Sequence, residues 1–385
     1  MRSQEREAPP PFMSNCMEKA KTLKTLRLIF LEILAVSIVS FFAAEIALRI
    51  YNRFNPSFVF YSTSYNRFRG KPFADDWNFK LNSLGFRDKE FSAKKEDVYR
   101  ILGIGDSFSF GVVPYENNYL TLIESQLQKE HPKLEVFNMG IPSIGPKEYL
   151  SLLVAEGLAF KPEMVLLSFF VGNDFAESKG RKRYEYSYVA SLLHYVFTLR
   201  PSYEGITYFG TGNYCDDCPS FSHDRYLELE GSRSSIYLKG NGKFSKSLDR
   251  AIFYLSQIQT ICKEQSIDLI VVIIPDELQV NEDLQREVRD KFYPNMDAQK
   301  WDMNLPNSSL AAKLNKLGIY NIDLSEHFAQ NTSSRRLYKP RDSHWNVEGN
   351  RLAADLITRH IQNYWREENR TSRQTKRQLD LAPQP

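Results

Sequence analysis

Five short apolar runs constrain this chain most, each closed by turn-forming residues and separated from the next by a helical pattern. They cover residues 99–104, 135–139, 164–170, 269–274 and 319–323. The first is too apolar for a strand with one wet face and fits a strand buried on both sides, and the other four are strand candidates. The intervening stretches space their apolar residues as helices do. Residues 118–129 would bury Leu120, Ile123 and Leu127, and 147–159 follow Pro146, a good helix start. Residues 247–264 would bury Leu248, Ala251, Ile252, Leu255, Ile258 and Cys262; 308–317 end at Gly318, and 347–362 close the series. Strand and helix in repeated succession predict an α/β fold with a parallel sheet covered on both faces. No internal repeat is visible.

Ahead of this pattern, residues 28–48 form an apolar run about long enough to cross the hydrocarbon core of a bilayer. Glu32 and Glu45 interrupt it near its ends, and Glu45 has Arg49 four residues on. The reading is a transmembrane anchor over 28–49; the competing one is an amphipathic helix on a surface or in a core. A cleaved signal peptide fits less well, because neither Phe42-Ala43-Ala44 nor Glu45-Ile46-Ala47 makes a small-x-small site. Lys19, Lys21, Lys24 and Arg27 precede the run while Arg49, Arg53, Arg67 and Arg69 follow it, so the charge rule for orientation ties. An N-terminal anchor usually leaves the large C-terminal domain outside the cytoplasm, which is the expectation here. Residues 1–27, with Pro9-Pro10-Pro11, and the charged, Gln-rich 366–385 read as disordered tails. Residues 50–98 read as an extension with a tight turn at 82–88.

A quarter of the residues are charged but the net charge is only +3, which gives no reason to expect nucleic acid as a partner. Four cysteines are too few for a disulfide scaffold. Cys215 and Cys218 form a C-x-x-C that suits a metal half-site, a redox pair or a local disulfide. No second C-x-x-C or His pair completes a zinc set. Residues 175–245 are too long for a βα connection and carry nine tyrosines, among them Tyr184, Tyr203, Tyr208, Tyr226 and Tyr237. They are expected to form a cap, with aromatics that stack on sugar rings or, in the plainer reading, pack as a satellite core.

The chemistry-bearing residues gather where the apolar runs end. Gly105-Asp106-Ser107-Phe108-Ser109 follows the first run, Asn138-Met139-Gly140-Ile141-Pro142-Ser143-Ile144-Gly145 the second, and Gly172-Asn173-Asp174 the third. Arg341-Asp342-Ser343-His344-Trp345-Asn346 precedes the last helix. Parallel strands put their C-terminal ends on one sheet edge, where ligands bind in such folds. A serine hydroxyl is a poor nucleophile until a base sits within hydrogen-bond reach and a third group fixes that base. Ser107, His344 and Asp342 are the candidates for these roles. Donors for the oxyanion are the side chain of Asn173 and backbone N–H groups of Ser107 and of the second junction, at Ser143 or Gly145. Asp276 and Glu277, after the fourth run, are expected near the pocket. His131, His194, His223, His327 and His360 have no such company and read as structural.

These four blocks resemble the SGNH (GDSL-type) hydrolases, over about residues 99–360. The resemblance implies a three-layer α/β/α, flavodoxin-like fold, Ser107 as nucleophile, Asn173 as oxyanion donor and His344 as base. Ser109 stands where the ordinary α/β-hydrolase elbow needs its last glycine. Two departures stand out: the second-block glycine aligns with Ser143, and Asp342 lies two residues before His344, where the commoner pattern has three. The Asp-x-His-Trp form is similar to the branch that includes alginate O-acetyltransferase-like, membrane-anchored proteins. The expectation is therefore a membrane-anchored serine esterase that removes O-acyl, especially O-acetyl, groups from a glycan without metal or organic cofactor. A polysaccharide O-acyltransferase with the same chemistry, and a silent assembly protein of exopolysaccharide export, are the alternatives.

Overall fold

The computed structural model describes residues 11–54, 69–177 apart from 71, 77 and 78, 183–199, and 214–381 apart from 333. Five parallel strands make the central sheet: β1 Tyr99–Ile104, β2 Leu134–Asn138, β3 Met164–Phe170, β4 Asp268–Ile274 and β5 Tyr320–Asp323. Each matches one of the five apolar runs to within a residue. Their order across the sheet is β2-β1-β3-β4-β5, with Ile101 opposite both Val136 and Met164, and Leu166 opposite Ile270. This is the flavodoxin-like order, whose direction of winding reverses between β1 and β3.

The helices used below are α1 Pro11–Phe54, α2 Tyr119–Leu127, α3 Pro146–Ala155, α4 Tyr188–His194, α5 His223–Arg233, α6 Gly242–Glu264, α7 Leu305–Lys316 and α8 Val347–Leu381. Successive strand residues face opposite layers. Leu102, Ile104, Val165, Leu167, Val271 and Ile273 pack with residues of α3, α6 and α7. Ile101, Leu166, Ile270, Val272 and Ile322 pack with residues of α2 and α8. Cys262 is buried in the first of these layers as expected, and burial pushes its thiol up to about 12. Each fully buried aliphatic side chain contributes roughly 1.5–3 kcal/mol, so the sheet holds the site's frame rigidly.

Several expectations need correction. The segment before the apolar run was expected to lack structure, yet α1 begins at Pro11. Residues 13–27 contain no Gly or Pro, and their Glu, Lys, Ala, Met and Leu are good helix formers. The same reason carries α8 on to Leu381, through a stretch read as a disordered tail. Residues 1–10 and 382–385 lie outside the described residues. Helix α6 starts at Gly242, five residues early, because Asn241 caps it by accepting from the Lys243 and Phe244 N–H groups. In the Tyr-rich insertion, Tyr226 and Tyr237 bury themselves with Leu227, Leu278, Leu284 and Val288 as a satellite core. Tyr203 and Tyr208 lie outside the described residues. Cys215 and Cys218 form a disulfide.

Ahead of the sheet, the Asn82 side chain accepts from the Leu84 and Phe86 N–H groups, closing the turn expected at 82–88. In α1, Leu23–Tyr51 is apolar and long enough to cross a membrane, and the window is not buried by the rest of the chain.

Candidate active site

Ser107 opens a single helical turn, Ser107–Phe110, directly after β1. Asp106 caps that turn, its Oδ1 accepting from the Phe108 N–H at 2.9 Å. Its carboxyl is fully buried, and burial pushes it above the ordinary range; it faces the Asn173 amide. Close approach makes two glycines necessary here. A methyl at Gly105 would lie 2.2 Å from Ser109 Oγ, and one at Gly140 would lie 2.2 Å from the Phe110 nitrogen. Ser109, the residue that departs from the hydrolase elbow, is tied down instead of left open. Its Oγ meets the Tyr119 hydroxyl at 2.7 Å, which in turn meets Ser168 Oγ at 2.5 Å. Its carbonyl accepts from Asn138 Nδ2 at 2.7 Å and Asn118 Nδ2 at 3.0 Å.

His344 arrives from the far end of the sequence. Its Nε2 lies 2.7 Å from Ser107 Oγ, and its Nδ1 lies 2.6 Å from Asp342 Oδ1. The short Asp–His spacing has a local explanation. Tyr338 and Trp345 form an antiparallel bridge, with Lys339 N–H donating to the His344 carbonyl and Asn346 N–H to the Leu337 carbonyl. This makes a hairpin, and Arg341 takes a left-handed φ of 49° at its tip. Asp342 can therefore fold back so that Oδ1 accepts from both the ring and the backbone N–H of His344, the latter at 3.1 Å. Its Oδ2 accepts from the Ser220 hydroxyl. Burial alone would raise the Asp342 carboxyl, but the His344 ring, Ser220 and the His344 N–H outweigh it and hold it down at about 2. Trp345 anchors the hairpin, packing edge-on against Phe108 at 4.9 Å and Tyr119 at 5.8 Å.

Asn173 and Ser143 line a common cavity of about 420 Å³, together with Gly172, Ser232, Arg233 and Lys243. Ser143 holds a left-handed φ of 60°, the backbone state that favours glycine, the residue the resemblance expects there. Gly145 is buried as the N-cap residue of α3. The larger cavity, about 670 Å³, lies at the opposite sheet edge around Tyr99, His131 and Trp365, away from this chemistry.

Ser220 and the cap residue Arg233 are contacts that local sequence could not reveal. Arg233 donates to Ser343 Oγ at 2.6 Å, and Ser343 donates to Glu230 at 3.1 Å, so α5 grips the residue between Asp342 and His344. Burial, with Asp276 beside it, pushes the Glu230 carboxyl well up. Asp276 and Glu277 lie under the site: Asp276 caps Glu277–Val280, and its Oδ2 would be 2.8 Å from a methyl at Gly172. Of the other histidines, His194 stacks on Tyr184, His131 meets Trp365, His223 pairs with Glu287 and His360 meets Tyr320. Among the described residues no group of three or more His, Cys, Asp and Glu is placed to hold a metal ion.

Residues 240–384 match the family model described as SGNH hydrolase-like domain, acetyltransferase AlgX. The match takes in Asp342 and His344 and stops short of Ser107 and Asn173. A search of curated proteins finds no match. Solved structures with a similar chain path include the acetyl xylan esterase AlAXEase, 14% identical at a TM-score of 0.40, over 68% of this chain and 99% of that one. Another is a catalytic mutant of Axe2, an acetylxylan esterase from Geobacillus stearothermophilus, 14% identical at a TM-score of 0.39, over 68% and 94%. A lipase/acylhydrolase from Enterococcus faecalis is 14% identical at a TM-score of 0.37, over 69% and 97%.

Proposed function

We propose that the chain is a membrane-anchored serine esterase that removes O-acetyl groups from a glycan. The catalytic domain covers residues 99–365 with 175–245 as its cap, and an anchor over 28–49 carries it through the 50–98 extension. The observation that carries this reading is the line of contacts from Ser107 Oγ to His344 Nε2 at 2.7 Å and from His344 Nδ1 to Asp342 at 2.6 Å. Ser107 attacks the ester carbonyl while His344 takes its proton. Asp342, held ionised at any ordinary pH, fixes the ring and stabilises the imidazolium. The tetrahedral oxyanion is held by Asn173, by the Ser107 N–H and by a backbone N–H of the loop at Ser143. The alkoxide leaves with the proton from His344, and water, activated by the same ring, releases acetate. The glycan ester rests on the family description and on the open, polar cavity beside Asn173. The disulfide between Cys215 and Cys218 supports an oxidising compartment outside the cytoplasm.

The test is turnover of an aryl acetate by the purified full chain and by Ser107→Ala. Turnover should fall by at least about 10⁴-fold, and labelling by a fluorophosphonate should vanish. Undiminished turnover in the variant would overturn the assignment, and absence of both activities in the parent would favour the silent assembly role. The family description also favours a second reading, in which the acetyl-enzyme passes its group to a sugar hydroxyl. Mass analysis with an oligosaccharide acceptor separates the two: acetylated oligosaccharide marks transfer, free acetate alone marks hydrolysis.

A further inference from the structure

Glu45, a carboxylate inside the apolar run, is the least expected residue in the anchor, and the structure gives it a partner far away in sequence. Its Oε2 accepts from Ser187 Oγ at 2.9 Å and from the Val189 N–H at 3.0 Å, and its Oε1 from the Tyr188 N–H at 3.0 Å. It thus caps the N-terminus of α4, a helix of the catalytic domain's insertion, from another element. Arg49 joins the same contact, pairing with Glu45, donating to the Tyr186 carbonyl at 3.0 Å and lying over the Tyr188 ring at 4.6 Å. Anchor and cap are therefore one packed unit at this point.

The position of that contact along α1 decides what else lies there. Glu45 is six residues before the end of the apolar window at Tyr51, about 9 Å at the helical rise. The window has 29 residues, about 43 Å of helix against a hydrocarbon core of about 30 Å, so in a centred span Glu45 lies within about 3 Å of the hydrocarbon edge. Helix α4 must start at that level. Four residues apart, Leu193 near the end of α4 is 50% exposed and Phe197 on the helical turn that continues it is 75% exposed, and they share one face. An exposed Leu and Phe on a short helix pinned to the interfacial end of a span match an element that lies in the headgroup boundary.

We propose that the segment 188–197 is a second membrane contact, its Leu193 and Phe197 face resting in the lipid interface and Glu45 setting its depth. This rests on the anchor reading of α1. The lipid surface is the occupant because α4 packs against α1, whose apolar window the rest of the chain does not bury. Two contacts at one site fix the tilt of the catalytic domain over the bilayer, which a single flexible stalk would leave free.

The experiment uses the full chain in phosphatidylcholine–phosphatidylglycerol nanodiscs, with Cys16→Ser to remove one background thiol and an environment-sensitive dye on Phe197→Cys. Phe253→Cys on α6, also exposed, is the control site. Lipids spin-labelled near the headgroup should quench the dye at 197 and leave it unchanged at 253. Glu45→Gln should abolish quenching at 197 while the protein still resists alkaline carbonate extraction. Equal, aqueous-type quenching by iodide at both sites in carbonate-resistant protein would overturn the lipid contact and leave the anchor standing. Full extraction by carbonate would overturn the anchor reading and this inference with it. Unchanged quenching in Glu45→Gln would remove Glu45 from its role as the pin.

Discussion

Asp342 shows how a single side chain can serve a departure from a familiar spacing. Two residues before His344 it can reach the imidazole only by folding back, which the left-handed Arg341 allows. Its three hydrogen-bond donors keep it charged against its burial. Asp342→Asn leaves the volume unchanged but cannot accept in the same way and favours the wrong ring tautomer. It should lower kcat for an aryl acetate by about 10⁴-fold with little change in KM. Asn173→Ala should cost about 10²–10³-fold in kcat through loss of one oxyanion donor. A loss confined to KM in either variant would remove that residue from its proposed role.

At the scale of elements, the central strands are legible in the sequence because a parallel strand buried on both faces is a nearly unbroken apolar run, as 164–170 is for β3, whose seven residues are all buried. The candidates Ser107 and Asn173 are legible too, since parallel topology brings the ends of such runs to one edge, whereas Asp342 and His344 reach Ser107 on the hairpin before α8. The supports are not legible, because they come from elements whose sequence carries no sign of where they dock. The disulfide-closed loop is the clearest case. Asp216 accepts from the Val347 N–H at 3.1 Å, Asp217 pairs with Arg336, the Ser220 N–H donates to the Pro340 carbonyl and the Ser220 hydroxyl to Asp342. The loop thus straps the 336–347 hairpin from end to end. Cys215→Ser with Cys218→Ser should release the Ser220 bond to Asp342 and lower kcat about tenfold, as a hydrogen bond to a charged group is worth about 1.5–3 kcal/mol. Unchanged kcat would show that the strap does not hold Asp342. The charged run after Trp365 carries good helix formers, and composition alone does not distinguish a solvated helix from a tail.

For the whole molecule, buried carboxyls set the response to pH. Burial pushes Asp88 and Glu277 both up to about 7 and raises Glu230 well above the ordinary carboxylate range. The folded chain therefore holds protons that the unfolded chain releases near pH 4, so the stability these groups contribute is present in mild acid and lost as pH rises through 7. Asp342 acts in the opposite sense, its contribution being lost as pH falls from 4 towards 2. Thermal unfolding of the full chain in detergent should give a higher Tm at pH 5 than at pH 8, by several degrees. Glu277→Gln should narrow the gap. A Tm that rises from pH 5 to pH 8 would contradict the burial of these groups.

The pairing of Ser107 with a base 237 residues later also governs when the protein can act. Asn350 on α8 ties into the chain near Ser107 by accepting from the Tyr119 N–H at 3.1 Å, so the two ends of the domain close together. Closing contacts this distant costs loop entropy. A nascent chain, emerging from its N-terminus, would carry a chemically inert serine until synthesis had passed α8. On the proposed reading, ester cleavage would be confined to fully folded copies, and its first appearance would mark that folding of the domain is complete.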